Sequence, residues 1–540
     1  MKGEVKMPIV HQENKKTGIT YVYESEAYWD KEKQQSRSRR KCIGKLDPVT
    51  GELVPSKKHL AEKELETLKK RAPGALPTVE SNRLFYGATY LFDQISNKLG
   101  ITADLTNNFP TTAKKIMSVA YYLLLEDRNP MSRFPKWAKT HIHPYGQDLS
   151  SQRISELFAA VDENSKQEFF RMQGSRRQES EYLVYDTTSV SSYSKLLKQV
   201  KWGKNKDDDI LAQINLALIY GQQARLPIYY RKLPGNISDV TTVNKLLKDI
   251  DFLDLDNVTL IMDRGFFSEA NINALYEKRS KFLMGARIGL LFIQKVLDPV
   301  RESMKSRTTY SSEAGVHFYT EMISWRYQET QKRSGEIVNS EKRMYLHLYY
   351  NPQRAVDDQI SFHKLLDQLE AELLSGKRTK AHEKLYEKYY VIKNTPKRGI
   401  QLKTKQQVMD EAQKNYGYFA LISNKEKDPL KALQLYRSKD IIEKAFGNLK
   451  ERLNMRRTSV SSEENLDGKL FVQFIALMIL AYIDKAMRDH SLYKNFTLQG
   501  LMDEIDIIER YERPGKKPHV GEMTKRQLMI FDAMGVAPPG

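Results

Sequence analysis

The stretch YLVYDTTSV, residues 182–190, combines a run of apolar and β-branched residues with one acidic side chain, Asp186. Such a run is typical of a buried β-strand. An ionised carboxylate is costly to bury unless it is paired, hydrogen-bonded or bound to a metal ion. The stretch therefore predicts a core strand whose acid has a specific partner.

The segments that follow predict a mixed α/β sheet around this strand. Two further segments have patterns typical of strands joined by a turn at Gly221: residues 210–221 (ILAQINLALIYG) and 224–235 (ARLPIYYRKLPG). Helix-like and strand-like segments then alternate, with strands expected at 258–266 (VTLIMDRGF) and 281–288 (KFLMGARI). Three strands in hairpin order, followed by alternating helices and strands, indicate a sheet with both antiparallel and parallel pairs.

A second acid, Asp263, lies near the end of the strand expected at 258–266. Ligands of such sheets collect at strand ends beside chain crossovers. A lone Asp at a strand end is also typical of a turn or a helix cap. Three carboxylates from distant segments, however, can hold two Mg²⁺ ions, which activate a water or a 3′-hydroxyl for in-line attack on a phosphodiester.

The third acid is Glu443, in YRSKDIIEKAFGNLK, residues 436–450. At about 100° per residue, one continuous α-helix would place Tyr436, Lys439, Glu443 and Lys450 on an arc of about 60°. A solvated face with ordinary i,i+4 pairs explains the same spacing. Beside a metal site, the two lysines would neutralise DNA phosphates and the tyrosine would donate a hydrogen bond to another.

Charge and composition favour nucleic acid as the partner. The chain of 540 residues is long enough for several domains, and its 87 Lys and Arg against 68 Asp and Glu give a formal charge of +19. An anionic membrane is the second choice, because the longest apolar run, 470–483, is interrupted by Gln473 and too short to span a bilayer. That run predicts a buried core helix.

Cysteine usage and the N-terminus favour the reducing cytoplasm. The single cysteine, Cys42, cannot form an intrachain disulfide, and the first residues lack the apolar segment of a signal peptide. The histidines show no spacing typical of zinc ligands. Any metal ion should therefore be held by carboxylates.

The N-terminal region predicts DNA-binding elements. Residues 20–54 are typical of a small antiparallel sheet, with a basic hairpin that carries Arg37, Arg39, Arg40 and Lys41. A charged edge strand that prevents aggregation explains this cluster, but the global charge favours phosphate contact. A polar helix (57–72), a linker (71–78) and a helical region (85–178) reminiscent of a helix-turn-helix module follow.

These segments resemble the DDE transposases of bacterial insertion sequences, in the group marked by Y-x2-R-x3-E-x6-K. The signature matches at Tyr436, Lys439, Glu443 and Lys450, with Lys439 in the Arg position. YDTTSVS, PGNISD and IMDRGFFS resemble the family's first-Asp, connecting and second-Asp regions. The resemblance covers about 181–288 and 416–487. Because lysine lacks the bidentate fork of arginine, one phosphate contact should weaken by about 1 kcal/mol.

The resemblance implies an RNase H-like core with Asp186, Asp263 and Glu443 as catalytic residues and as ligands of two Mg²⁺ ions, with Mn²⁺ as a substitute. It implies a homodimer acting on double-stranded DNA, at terminal inverted repeats and at a target. Arg264 is expected at DNA or in an ion pair. In relatives that pass through a DNA hairpin, an insertion-domain tryptophan lies near a flipped base; Trp325 is the candidate here, and a packed core tryptophan is the alternative.

The expected fold class is α/β: an RNase H-like mixed-sheet core, a β-rich and helical insertion, and N-terminal small β and helical DNA-binding regions. The expected segments are a basic β-region and linker (1–80), a helical DNA-binding domain (81–180), the N-terminal half of the catalytic core (181–288), an insertion (289–415), the C-terminal half of the core (416–490) and a C-terminal tail (491–540). In PGNISD, Asn236 is expected in a turn, and Asp239 or Ser238 is expected as the N-cap of the helix that follows. The rival functions are an inactive transposase-derived DNA-binding protein and an RNase H-like nuclease without strand transfer.

Overall fold

The computed structural model of the chain describes residues 8–30, 33–48, 50–69, 82–126, 129–176, 182–207, 209–255, 257–330, 337–396, 399–513 and 515–540. The chain forms two units, Met1–Arg83 with Arg510–His519, and Leu84–Glu509 with Val520–Gly540. The six predicted segments are finer than this division and stay predictions. The expected linker, 71–78, lies outside the described residues.

The first unit contains the predicted small sheet. Its strands are β1 (Ile9–Glu13), β2 (Thr20–Asp30), β3 (Gln35–Leu46) and β4 (Leu53–Pro55), which pair antiparallel in chain order and precede α1 (Lys57–Lys69). The basic cluster lies on the exposed part of β3. Arg37 pairs with Asp30 at 3.5 Å and Lys41 with Glu62 at 2.6 Å, so part of its charge is neutralised within the unit.

The region predicted to be helical contains six helices after the short strand β5 (Asn82–Phe85). They are α2 (Gly87–Lys98), α3 (Ile101–Asn108), α4 (Ala113–Leu125), α5 (Phe134–Ala138), α6 (Ser151–Ala159) and α7 (Glu163–Ser175). Ser150 and Asp162 cap α6 and α7 by accepting hydrogen bonds from backbone N–H groups of the first turn. The DNA-binding role of this region stays a prediction.

The mixed sheet predicted from residues 182–288 is confirmed. It contains β6 (Tyr182–Ser192), β7 (Gln213–Gly221), β8 (Pro227–Pro234), β9 (Thr259–Met262) and β10 (Lys281–Ala286), with helices α8 (Val243–Phe252) and α9 (Glu269–Glu277) between the later strands. The spatial order is β8, β7, β6, β9, β10. β6 pairs antiparallel with β7 and parallel with β9, and β9 pairs parallel with β10. Strand β6 is buried along almost its whole length, as its apolar sequence predicts.

Residues 289–415 both extend this sheet and form a separate cluster. The elements here are α10 (Leu291–Val300), β11 (Tyr310–Ser311), β12 (Val316–Thr330), β13 (Ile337–Tyr350), α11 (Pro352–Leu374), α12 (Glu383–Tyr389), β14 (Tyr390–Thr395), β15 (Gly399–Thr404) and α13 (Gln406–Gln413), followed by β16 (Tyr418–Ser423). β16 pairs with β10 and β13, and so joins the long β12–β13 hairpin to the sheet. Helices α11 to α13 surround a small apolar core of their own, which includes Phe362, Leu369 and Tyr386.

The segment 436–450 is not one continuous α-helix, so the expectation of a single 60° arc is wrong. α14 (Pro429–Arg437) ends before α15 (Asp440–Gly447), and a π-helical turn (Asn448–Arg452) follows. Between the two helices, i→i+3 hydrogen bonds replace the α-helical ones: Lys439 N–H donates to Tyr436 O and Ile442 N–H to Lys439 O. The Ser438 hydroxyl also donates to Leu435 O at 2.6 Å, a local bond that competes with helix continuation.

The apolar run near the C-terminus forms a core helix, as predicted. After β17 (Arg457–Thr458), α16 (Glu463–Asp489) packs against α4 and α6. Within the described residues it is the one helix long and apolar enough to cross a membrane, and 83% of its apolar window is buried in the protein. The expected tail contains α17 (Leu498–Asp506), β18 (Glu509–Glu512), β19 (His519–Val520) and α18 (Lys525–Ala533).

A glycine permits the close packing of α16. A Cβ atom at Gly468 would lie 1.9 Å from the Phe158 carbonyl oxygen. We expect Gly468→Ala to destabilise the protein by about 1–3 kcal/mol through overpacking, seen as a lower melting temperature. Gly447→Ala is the matched control: this helical glycine has no heavy atom within 4 Å of the added Cβ, so alanine should be neutral or stabilising. Equal melting temperatures for the two variants would contradict this packing.

Candidate active site

Asp186 and Asp263 lie side by side on neighbouring central strands of the sheet. In the parallel pairing of β6 with β9, Tyr185 is the register partner of Met262, so the next residue along each segment is an aspartate. Asp186 lies within β6, and Asp263 directly follows the end of β9. The sheet register alone therefore joins two acids that are 77 residues apart in sequence (263 − 186).

Asp263 is held by the hydroxyl of Tyr436, which donates a hydrogen bond to its Oδ1 at 2.5 Å. Gly285 on β10 makes room for this contact, because a Cβ there would lie 2.6 Å from the tyrosine oxygen. Burial alone would raise the pKa of Asp263, but the Tyr436 hydrogen bond and the charge of Lys439 together lower it. Asp263 is thus kept ionised.

Lys439 interacts with all three acids. Its Nζ is 2.8 Å from Glu443 Oε1, and it interacts electrostatically with both Asp263 and Asp186. Burial alone would lower the pKa of Lys439, yet the Glu443 hydrogen bond and the neighbouring carboxylates raise it. α15, which carries Glu443, packs against β6. Tertiary structure, rather than a shared helix face, therefore brings these residues together.

A fourth acid, Asp239, adjoins Asp186. Lys206 Nζ lies 3.6 Å from Asp186 and 3.3 Å from Asp239, and the Thr187 hydroxyl donates to Asp239 Oδ1 at 2.5 Å. Burial, with a contribution from the charge of Asp239, raises the pKa of Asp186, although Lys206, the Thr187 N–H and Lys439 oppose that shift. Asp186 therefore lies in a more crowded anionic environment than Asp263.

Of the two residues expected to cap the helix after PGNISD, Ser238 is at the N-cap position of the 3-10 turn Asp239–Thr242, without a side-chain cap bond. The expected N-cap role of Asp239 is wrong. The Asp239 side chain instead accepts the hydrogen bond from Thr187.

The remaining predicted site residues are dispersed. Lys450 donates to both oxygens of Asp207 at 2.7 and 2.6 Å, so its charge is neutralised within the protein. Trp325 donates its indole N–H to Asn273 at 2.9 Å and packs edge-on against Phe292. This is the packed arrangement given above as the alternative. Their roles toward DNA stay predictions, as do those of Arg39, Arg40 and Lys41 in the other unit.

A cavity extends from Asp263 along the sheet edge. Arg264 is exposed there, and Tyr436 forms part of the same wall. The far side is formed by residues of the insertion and of β16: Arg354, Asp358, Ala412, Asn415, Tyr416, Tyr418 and Phe419. Asp263 thus lines an open cleft that a large substrate can enter.

The described residues contain no group of three or more His, Cys, Asp or Glu side chains arranged to hold a metal ion. The chemistry of the donors nevertheless fits a hard divalent cation, because Asp186, Asp263 and Glu443 offer only oxygen atoms. Lys439 supplies the positive charge between them in this structure. The Glu443 side chain is 58% exposed and pairs with Lys439 at 2.8 Å.

Comparison with known proteins supplies the family. The family model described as a transposase DDE domain matches residues 177–479, more than half of the chain. A cryo-EM structure of the piggyBac transposase synaptic complex with hairpin DNA is similar at 10% identity and a TM-score of 0.33, over 83% of this chain and 75% of that one. No curated protein matches significantly. The chain belongs to the transposase DDE domain family, and it is an enzyme that cleaves DNA and transfers the strands.

Proposed function

We propose that the chain is the transposase of a bacterial insertion sequence, of the group with the Y-x2-R-x3-E-x6-K signature, and that Asp186, Asp263 and Glu443 are its catalytic carboxylates. One observation carries the assignment: the register of β6 with β9 places Asp186 beside Asp263, and Lys439, which donates to Glu443 at 2.8 Å, interacts electrostatically with both aspartates. Like charges are costly to bring together without such compensation. Asp263 also lines an open cleft, which a purely structural role for these acids does not explain.

Two divalent ions, Mg²⁺ or Mn²⁺, would be held by these three carboxylates and would stabilise the attacking and leaving oxygens of an in-line phosphodiester displacement. Each supporting residue then has a role of its own. Tyr436 holds Asp263 in place through its hydroxyl. Lys206 and Thr187 hold Asp239 beside Asp186. Arg264, exposed beside Asp263, is positioned to contact a DNA phosphate.

The remaining features of the proposal follow from this reaction. We infer an RNase H-like core, supported by the order β8, β7, β6, β9, β10, in which the two aspartates adjoin on central strands. Terminal inverted repeats and target DNA are the substrates, a homodimer holds the paired ends, and the enzyme works in the bacterial cytoplasm. The formal charge of +19 supports the binding of long DNA segments.

Replacing any catalytic acid should remove cleavage while leaving DNA binding nearly intact. We expect Asp186→Asn, Asp263→Asn and Glu443→Gln each to lower the rate of Mg²⁺-dependent plasmid cleavage by more than about 100-fold. Loss of a residue that only supports a metal ligand costs at most about 100-fold, so a larger loss indicates a ligand itself. Asp440→Asn is the matched control. It lies on the same helix and pairs with Lys444 at 3.2 Å, as Glu443 pairs with Lys439.

The assay also separates the rival functions. Cleavage with Mg²⁺ but not with Ca²⁺, followed by joining of precleaved ends to a target, is the expected pattern. A protein that binds DNA without cutting it would be the inactive derivative, and one that cuts without joining would be a nuclease. Unchanged cleavage in one acid variant would remove that residue from the site.

The Tyr436 hydrogen bond should matter to the same reaction. Hydrogen bonds to charged groups contribute about 1.5–3 kcal/mol, so Tyr436→Phe should slow cleavage by about 10- to 100-fold. Gly285→Ala should act through the same contact, because its Cβ would displace the hydroxyl. The double variant should therefore be little slower than either single variant.

Gly289→Ala controls for the backbone effect, since no heavy atom lies within 4 Å of that Cβ. Multiplicative losses in the Tyr436→Phe/Gly285→Ala double variant would show that the two residues act separately, and would contradict the shared contact.

Lys439 should compete with added cations for the carboxylates. Its removal in Lys439→Met takes away a positive charge worth about 1 kcal/mol beside the acids, so Mg²⁺ affinity measured by calorimetry should rise about fivefold. Lys444→Met, which removes the ammonium paired with Asp440, should leave that affinity unchanged. Lower affinity in Lys439→Met than in the unchanged protein would show that the lysine does not oppose cation binding.

A further inference from the structure

The chain between β6 and β7, residues 193–212, forms a loop, here called the β6–β7 loop, of which all but Asp208 is described. The loop is firmly anchored. Lys201 exchanges two backbone hydrogen bonds with Gln213, and the Gln213 side chain donates to Lys204 O at 3.0 Å. A Cβ at Gly203 would lie 2.1 Å from the Gly235 carbonyl oxygen. Leu197 is 3% exposed.

This anchored loop nevertheless exposes large apolar side chains. Tyr193 is 65% exposed, Leu196 76%, Trp202 70% and Ile210 87%. Clusters of exposed apolar residues mark interaction sites on soluble proteins. Trp202 is the most informative of them. Tryptophan is rare in this chain, which has four, and this one is 70% exposed on an anchored loop.

The charges of the loop indicate which class of partner it binds. Lys195, Lys198, Lys201 and Lys204 are exposed, and within the described residues none of them forms an ion pair. The two described acids of the loop are already neutralised, since Asp207 pairs with Lys450 at 2.6 Å and Asp209 with Arg457 at 3.0 Å. The outward surface is therefore basic as well as aromatic. A polyanion with flat apolar groups fits it better than an apolar protein surface does.

The loop ends at the proposed active site. Lys206 donates to the Thr187 carbonyl and hydroxyl oxygens, each at 2.7 Å, and lies 3.6 Å from Asp186. A DNA strand bound with its phosphodiester at Asp186 would therefore pass beside the β6–β7 loop. Unpaired bases have exposed faces, and proteins bind them with aromatic side chains interleaved with basic ones.

We propose that the β6–β7 loop binds an unpaired DNA strand beside the active site, with Trp202 stacked on a base and Lys198, Lys201 and Lys204 at the phosphates. The inference rests on the proposed function for the strand's location. It adds a single-stranded substrate segment to the duplex DNA assigned above.

The test measures binding without chemistry. Fluorescence anisotropy in EDTA compares a blunt duplex with the same duplex carrying a short oligo(dT) tail. We expect the unchanged protein to prefer the tailed duplex, and Trp202→Ala to reduce this preference at least about fivefold while leaving blunt-duplex binding unchanged. Replacing Lys198, Lys201 and Lys204 together with Gln should weaken tailed-duplex binding and make the slope of log K against log salt shallower.

Matched controls come from the insertion. Leu374→Ala removes an apolar side chain that is 60% exposed, and Gln at Lys377, Lys380 and Lys384 removes three exposed lysines. Neither control should alter the preference for the tail. Asp186→Asn should abolish cleavage and keep the preference, so failure of the catalytic assignment is distinguished from failure of the loop's role.

Three results would overturn the proposal. Equal binding of both DNAs by the unchanged protein would remove the unpaired strand as a ligand. A preference that survives Trp202→Ala would remove the stacking, leaving the loop as a duplex-phosphate contact at most. A change of molar mass by light scattering in Trp202→Ala or Leu196→Ala, without any change in DNA binding, would identify the surface as a contact between copies of the chain.

Discussion

Two carboxylates from adjacent parallel strands, those of Asp186 and Asp263, must be stabilised in a partly buried site. The register of β6 with β9 brings the two acids together, and burial makes their charges more costly. Lys439, Lys206 and the Tyr436 hydroxyl supply the opposing interactions. The pKa of Asp263 is lowered because the Tyr436 hydrogen bond and the charge of Lys439 outweigh its burial, whereas the pKa of Asp186 is raised mainly by burial, with a smaller contribution from the charge of Asp239. The site is thus held together by cations and donors around an excess of negative charge.

Much of the fold could be predicted from sequence, because burial leaves a direct signature in the strands. Strands β6 to β10 are apolar runs bounded by turn residues, and each lies within or overlaps its predicted segment. The core helix α16 is equally easy to predict, because its apolar residues extend around the whole helix and 83% of its apolar window is buried. The predicted N-terminal sheet has the same origin, with alternating residues on β2.

The site was harder to predict than the sheet. A helical-wheel projection assumes an unbroken helix, and the i→i+3 hydrogen bonds around Ser438 and Lys439 break it. Lys439 and Glu443 are four residues apart and pair despite that break. Lys450 lies beyond Glu443 and pairs with Asp207 instead. Thr187 donates a hydrogen bond to Asp239, 52 positions away. Tyr436 donates one to Asp263, 173 positions away. One sequence read alone carries no signal for such pairs.

The continuity of the sheet from β10 through β16 to β13 has a consequence during protein synthesis. A ribosome releases Asp186 and Asp263 long before it releases Glu443, and the strand that leads to α14 and α15 must first find its place between β10 and β13. Incomplete chains therefore carry Asp186 and Asp263 without the helix that carries Glu443. Under the proposed catalytic assignment, a translation product that ends before α15 lacks one of the three carboxylates and cannot cut DNA.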